Sequence, residues 1–555
     1  MYTNYSLTSS DAMPRTYLVG TASPEMSKKK RQSANCDKPT RRVIHIIDTN
    51  EHSEVDLKNE LPITCTNEDG EMTSSSWTSQ TANDFLKLAY VNAKLDPSLP
   101  SQYFKQDIIN VLQSLEIPGW SVPGSKESSL NKNLLTLTQI KGALTNVIYK
   151  IHYPNLPPLL MRIFGDSIDS VIDREYELKV IARLSFYDLG PKLEGFFENG
   201  RFEKYIEGSR TSTQADFIDR DTSIKIAKKL KELHCTVPLT HKEITDQPSC
   251  WTTFDQWIKL IDSHKEWVSN NVNISENLRC SSWNFFLKSF KNYKRWLYND
   301  SAFTSKLLRE DDKDSMINSG LKMVFCHNDL QHGNLLFKSK GKDDISVGDL
   351  TIIDFEYAGP NPVVFDLSNH LNEWMQDYND VQSFKSHIDK YPKEEDILVF
   401  AQSYINHMNE NHVKIASQEV RILYNLIIEW RPCTQLFWCL WALLQSGRLP
   451  QRPLIEGEKL MSEKAGLGDE THLMEHKNKE NGKYDCSEDD SFNYLGFCKE
   501  KMTVFWGDLI TLGVIDKDCP DIGKTDYLDT KLIFKLYTQS SIFLFTAIKL
   551  CFSTC

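Results

Sequence analysis

Two short apolar runs, each ending in a polar loop, constrain this chain more than any other feature. The first is MVFC at 323–326, followed directly by HNDLQHGNLLF at 327–337. The second is LTII at 350–353, followed by DFEYAG at 354–359. Apolar runs of this length, bounded by turn formers, read as buried strands. The pair predicts neighbouring strands that deliver His327, Asp329 and Asn334 from one end and Asp354 from the other. Burying them needs a large core, and 555 residues that are 40% hydrophobic and 25% charged can supply one.

Asp329, Asn334 and Asp354 match the needs of phosphoryl transfer from a nucleotide. That reaction uses a carboxylate to orient the attacking hydroxyl and take its proton, and hard oxygen ligands for Mg²⁺ on the phosphates. Singly, each has a plainer account: Asp354 as a polar turn residue, Asn334 as a loop residue satisfying its own backbone. The ordered pair of motifs favours the functional account. HxDxxxxN followed by IDFE resembles the catalytic and metal-binding motifs of protein-kinase-like phosphotransferases that act on small molecules. His327 reads as a hydrogen-bonding residue that shapes the loop, and His332 as exposed.

The rest of the chain divides around these motifs. Residues 1–83, rich in Ser, Thr, Asn, Lys and Glu without sustained periodicity, read as a disordered polar leader whose basic cluster at 28–31 is a solvated charge run. Residues 84–206 read as a small α+β lobe. Phe85, Leu86, Leu88 and Val91 begin it at helix-compatible spacing, as do Ile108, Ile109 and Leu112; β-like runs follow at 134–140, 147–151 and 159–164. A helix pattern covers 174–184, and strand character resumes through Phe202, Tyr205 and Ile206. Residues 207–530 read as a larger, mostly helical lobe, with helices at 397–408, 420–430 and 434–444. A polar stretch at 452–493 reads as a mobile insertion, and no role is assigned to the tail at 531–555. The fold class is α+β, with two lobes.

Upstream of the motifs, the turn KGALTN at 141–146 lies between predicted strands, where backbone N–H groups can face phosphate oxygens. Arg162, centred in LLMRIFG, needs a buried partner, for which Glu175 in the next helix pattern is the candidate. The plainer reading is an edge-strand arginine facing solvent. Downstream, Asp366, Asn369, His370 and Glu373 share one helical face. For Asp366 two readings stand side by side, an N-cap and a direct active-site role. Glu373, deeper along the helix, can face an ammonium group.

Composition removes several function classes. With 64 Lys+Arg against 76 Asp+Glu, the net charge is −12, which argues against nucleic-acid partners. Thirteen cysteines without a CxxC pair, in a chain that opens polar, predict reduced thiols and a cytoplasmic protein. The most apolar run, 542–552, is short and broken by Lys549, so stable membrane insertion is not expected.

Taken together, GALTN, LLMRIFG, LGPKLEGFFENGRFEKYI, IAKKLKELH, HNDLQHGN, IDFEYAG, FDLSNHLNEW and FWCLWALLQS resemble the choline/ethanolamine kinase family over roughly 134–513, and most of all its fungal ethanolamine kinases. The resemblance implies a two-lobed kinase-like fold, ATP and Mg²⁺ as cofactors, and a homodimer. It implies Asp329 as catalytic base, with Asn334 and Asp354 completing the catalytic set as metal ligands. Gly142, Thr145, Asn146, Arg162 and Glu175 would serve the phosphates, and Glu203, Tyr205 and Ile206 the adenine hinge. The amino-alcohol site would use Gln331, Glu356, Tyr357, Glu373, Tyr378, Trp438 and Trp441. Core packing alone also accounts for the two tryptophans. Ala143 stands where many relatives have a second glycine, which stiffens the turn. The expected reaction is ethanolamine phosphorylation to phosphoethanolamine, toward phosphatidylethanolamine, with choline activity second and choline kinase the alternative.

Overall fold

The β-branched and aromatic runs of the N-terminal half pair into a sheet whose central strands are largely buried, while an outer strand, Thr136–Ile140, is mostly exposed. In a computed structural model, the described residues are 41–45, 87–120, 130–140, 146–164, 174–266, 268, 272–309, 320–338, 349–410, 412–446 and 492–533. Strands β1 (Arg41–His45), β2 (Lys87–Val91), β3 (Thr136–Ile140), β4 (Asn146–His152), β5 (Leu159–Phe164), β6 (Leu193–Phe197) and β7 (Gly200–Lys204) form one sheet in the order β1-β2-β6-β7-β5-β4-β3. Neighbours are antiparallel except β2 and β6, which run parallel. Helix α1 (Ser101–Ser114) buries Phe104, Ile108, Ile109, Val111 and Leu112, in one core with Ile151, Leu159, Met161 and Phe202. Helix α2 (Arg174–Phe186) follows β5.

A second, larger core fills the helical lobe. Its short strands are β8 (Ser209–Thr211), β9 (Met323–Cys326), β10 (Leu335–Lys338), β11 (Leu350–Ile352) and β12 (Gly359–Pro362), in two small sheets, β11-β10-β8 and β12-β9. Around them lie α3 (Arg220–Thr236), α4 (Ser249–Ser263), α5 (Trp283–Asn299), α6 (Val363–Asn372), α7 (Glu394–Asn406), α8 (Gln418–Gln445) and α9 (Tyr494–Thr511). Helix α8 is the hub, packed along α6, α7 and α9 and buried almost throughout.

Four sequence expectations need correction. Arg41–His45, inside the supposed leader, pairs with β2, in register from Arg41 opposite Val91 to His45 opposite Lys87. Lys87–Val91 is a strand rather than a helix; the short apolar run fits either periodicity, and pairing with β1 and β6 decides it. The helices expected at 420–430 and 434–444 are one, running through Pro432. Pro432 has no N–H for the Ile428 carbonyl, and the adjoining residue is tied to α5, where the Glu429 carbonyl accepts the Tyr293 hydroxyl at 2.8 Å. Finally, β9 and β11 are not paired to each other: β9 pairs with β12 and β11 with β10. The turn at 141–145, the stretch at 452–491 and the chain after 533 lie outside the described residues.

The α8–α9 contact is locked by Arg431, whose guanidinium pairs with both oxygens of Asp508 and donates to Thr530 Oγ1 at 2.6 Å. Both charges are buried. Removing one partner strands the other, so Arg431→Met is expected to destabilise the protein by about 3–5 kcal/mol. The midpoint of denaturant unfolding measures it.

Candidate active site

The loop after β9 is shaped by a buried carboxylate. Asp366, on α6, is fully buried and accepts the backbone N–H of His327 at 2.8 Å and of Asn328 at 2.8 Å. His234 Nε2 lies 2.9 Å from the same carboxylate, and its Nδ1 lies 2.8 Å from the Tyr404 hydroxyl. Burial alone would raise the Asp366 pKa, but the bond and charge of His234, with His327, hold it below the usual carboxylate value. Asp366 is therefore neither of the roles expected: Pro362 precedes the first helical residue, and the carboxylate anchors the loop from the core.

That anchor lets the loop turn sharply. Asn328 has φ +66°, a left-handed conformation that Asn tolerates better than most residues. Its amide is held on both sides, donating to the Tyr357 carbonyl and accepting from Asn361 Nδ2, each at 2.9 Å. His327 behaves as expected of a loop-shaping residue. Burial pushes its pKa down, favouring neutral imidazole; Nδ1 accepts the Asp329 N–H at 3.2 Å, so Nε2 donates to the Ile353 carbonyl at 3.0 Å. One ring thus ties the Asp329 loop to the Asp354 loop.

Asp329, Asn334 and Asp354 come together. Asn334 Nδ2 donates to Asp329 Oδ2 at 3.0 Å and to the Asp329 carbonyl at 2.9 Å. The Ile353 N–H reaches the Asn334 carbonyl at 2.9 Å, bringing the end of β11 to the same point. Asp354, at φ +65°, accepts Arg162 Nη1 at 2.7 Å. With Nδ2 committed, Asn334 offers its amide oxygen beside a carboxylate, an all-oxygen set that suits a hard divalent cation such as Mg²⁺. Asp329 is raised well above the usual carboxylate range, first by burial and then by the charges of Glu373, Asp354 and Glu356.

Arg162 is buried on β5, as its apolar surroundings required, and its described partner is Asp354. Glu175 lies in the first turn of α2; its side chain, like that of Asn146, falls outside the described residues, as do Gly142 and Thr145. Between the lobes a cavity of about 560 Å³ is lined by Leu189, Tyr205, Ile206, Leu233, Ile352 and Phe355 among others, with Lys204, Lys229 and Lys338 also lining it. Tyr205 and Ile206, expected at the adenine hinge, are both in that lining. Glu203 is not in the lining: its buried carboxylate faces Arg201 Nε at 2.5 Å, because a charge within the sheet needs a partner there.

The other expected residues form an aromatic and acidic cluster. Trp438 and Trp441 pack edge to face at 5.5 Å, and Tyr357 meets Trp438 at 5.3 Å. Trp441 Nε1 donates to the Tyr357 hydroxyl and Trp438 Nε1 to Asn369 Oδ1, each at 2.7 Å. The Tyr378 hydroxyl donates to Glu373 Oε2 at 2.9 Å. Gln331 caps its own short turn, accepting the Gly333 N–H at 2.7 Å. Glu356 adds negative charge that acts on Asp329, Arg162 and Tyr357. His332, expected to be exposed, is buried between Phe217 and Tyr378, since the turn that places Asn334 points it inward. Sequence reasoning missed Tyr494, Phe497 and Lys501 of α9, which close the cluster beside Trp441 and Glu373.

Asp366→Asn replaces one acceptor oxygen by an amide donor, leaving a loop N–H without a partner. The expected result is a loss of about 1–3 kcal/mol in stability and faster amide hydrogen exchange at 327–329. Unchanged exchange there would detach the loop from Asp366.

Among the described residues no helix is long and apolar enough to cross a membrane. Comparison with known proteins places these residues in context. Residues 137–506 match the model of choline/ethanolamine kinase, and residues 79–129 that of the choline kinase N terminus. The choline kinase of Saccharomyces cerevisiae is 36% identical over 504 residues, covering 82% of this chain and 84% of that one. The choline kinase of Schizosaccharomyces pombe is 27% identical over 464 residues, covering 76% and 92%. A crystal structure of choline kinase from Cryptosporidium parvum superposes with a TM-score of 0.53 at 21% identity, covering 74% of this chain and 97% of that one, so the two-lobed kinase-like fold is shared. On its sequence, this chain belongs to the choline/ethanolamine kinase family.

Proposed function

We propose that the chain is an ATP-dependent O-phosphotransferase for amino alcohols, with choline the preferred acceptor and ethanolamine the second. The carrying observation is a base candidate, Asp329, within electrostatic reach of Glu373 and beside an enclosure of Tyr357, Trp438 and Trp441. Aromatic faces and a carboxylate hold a cation, and a trimethylammonium is suited to such walls because it carries no N–H donor that must be satisfied. The relatives named choline kinase support the same acceptor. This order reverses the one the sequence motifs favoured.

In this reading the adenine lies in the interlobe cavity against Leu189, Ile206, Ile352 and Phe355. Arg162 meets the phosphates, and Asn334 with Asp354 holds Mg²⁺. The bound metal supplies neutralisation of the β- and γ-phosphate charge. Asp329 orients the acceptor hydroxyl and takes its proton as the new O–P bond forms and the bond from the γ-phosphorus to the ADP oxygen breaks. His327 keeps Asp329 in register through its backbone N–H, and Asn334 Nδ2 fixes one carboxylate oxygen so that the other is presented.

Steady-state kinetics with Mg·ATP and either choline or ethanolamine should show turnover of both, with kcat/KM higher for choline. Asp329→Asn should lower kcat by about 10²–10⁴-fold while the fold is kept. Near-normal kcat in that variant removes Asp329 from the base role, and phosphorylation of neither alcohol overturns the reading.

A further inference from the structure

Helix α9 carries a buried cation that the reaction above does not use. Its inward face is otherwise mainly apolar, with Phe497, Met502, Phe505, Trp506 and Leu509. Lys501 interrupts that face. Its Nζ lies 3.6 Å from Glu373 Oε1, and both side chains are only 1% exposed. The same ammonium sits 4.7 Å from the centre of the Phe497 ring, one turn earlier on the helix. Glu373 Oε2 accepts the Tyr378 hydroxyl at 2.9 Å. Oε2 is thus hydrogen-bonded within the protein, and Oε1 faces a fixed ammonium at an ion-pair distance just beyond hydrogen bonding.

We propose that Lys501 is a specificity-determining residue which biases the acceptor site toward quaternary ammonium substrates, by placing a fixed ammonium on the Glu373 oxygen that a primary ammonium would need. The inference deepens the amino-alcohol reading and rests on it. A primary ammonium enters with three N–H donors, and in a buried site each needs an acceptor. Glu373 is a carboxylate of the acceptor site in this reading, but its Oε1 faces the ammonium of Lys501, which is itself buried. Burial pushes the Lys501 ammonium down from its ordinary pKa, while Glu373, Asp329 and Glu500 push it back up. A trimethylammonium asks for no such acceptor and is held by the faces of Tyr357, Trp438 and Trp441. Charge repulsion from Lys501 acts on either substrate alike and cancels in their ratio; the missing acceptor does not cancel.

The test measures kcat/KM with Mg·ATP for ethanolamine, its N-methyl and N,N-dimethyl derivatives, and choline. In the wild-type protein kcat/KM should rise with each added methyl. Lys501→Met, similar in shape but uncharged, frees Glu373 Oε1; the choline-to-ethanolamine ratio should fall about tenfold, through a lower KM for ethanolamine rather than a changed kcat. Lys501→Arg keeps the cation and should keep the methyl gradient. Should the Met variant not fold, Lys501→Leu gives the same reading. An unmoved ratio in a folded Lys501→Met or Lys501→Leu overturns this inference alone; a flat or falling wild-type gradient overturns it together with the choline-first order proposed above, and phosphotransfer to amino alcohols stands in both cases. A wild-type protein that phosphorylates none of the four overturns that reading, and this inference with it.

Discussion

The buried carboxylate of Asp366 is the constraint on which the rest of the site depends. Burying a charge is expensive unless every oxygen is hydrogen-bonded. Here the donors are two consecutive backbone N–H groups and a histidine ring, and the two N–H groups belong to the loop that presents Asp329. The loop cannot change conformation without exposing the charge to an apolar interior. His234 extends the anchor to Tyr404, so α3, α6 and α7 all bear on the position of one catalytic loop. Every residue of α6 is buried, which gives the anchor the rigidity of the core itself.

A rigid loop explains how the site tolerates its electrostatics. Burial raises the pKa of Asp329, and the charges of Glu373, Asp354 and Glu356 raise it further. Two buried cations offset those charges from opposite sides, Arg162 on Asp354 and Lys501 on Glu373. The surplus of negative charge is what a metal-bound nucleotide and a cationic acceptor are suited to fill. The constellation is thus more favourable loaded than empty, and it is held in the empty state by hydrogen bonds that a collapse would have to break.

Much of this was legible in sequence because the informative motifs are local. HNDLQHGN and IDFEYAG carry their loops within a few residues of their strands, and Arg162 announced a buried partner by standing in an apolar run. What was not legible depends on distance. Asp366 looks like a cap from its neighbours alone, since the N–H groups it accepts lie 38 and 39 residues away. The burial of His332 follows from Phe217 and Tyr378. Glu203 is different: its partner Arg201 stands two residues away on the same strand, so that pair was legible. Helix α9 follows a long polar stretch and carries no recognisable chemistry, so its contribution of Tyr494, Phe497 and Lys501 appears only once α8 and α9 are packed.

The two lobes also divide the work in a way the ion pairs make concrete. Arg162 belongs to β5 of the seven-stranded sheet, while Asp354 follows β11 of the helical lobe, so their 2.7 Å contact ties the sheet to the helical lobe. In the reading proposed above the phosphates lie at this contact, so a nucleotide would have to share or replace it. Lys501 and Glu373 both belong to the helical lobe, so their pair does not cross between the lobes. On that reading the charges that meet the phosphates span both lobes, whereas the carboxylate that meets the acceptor is paired within one.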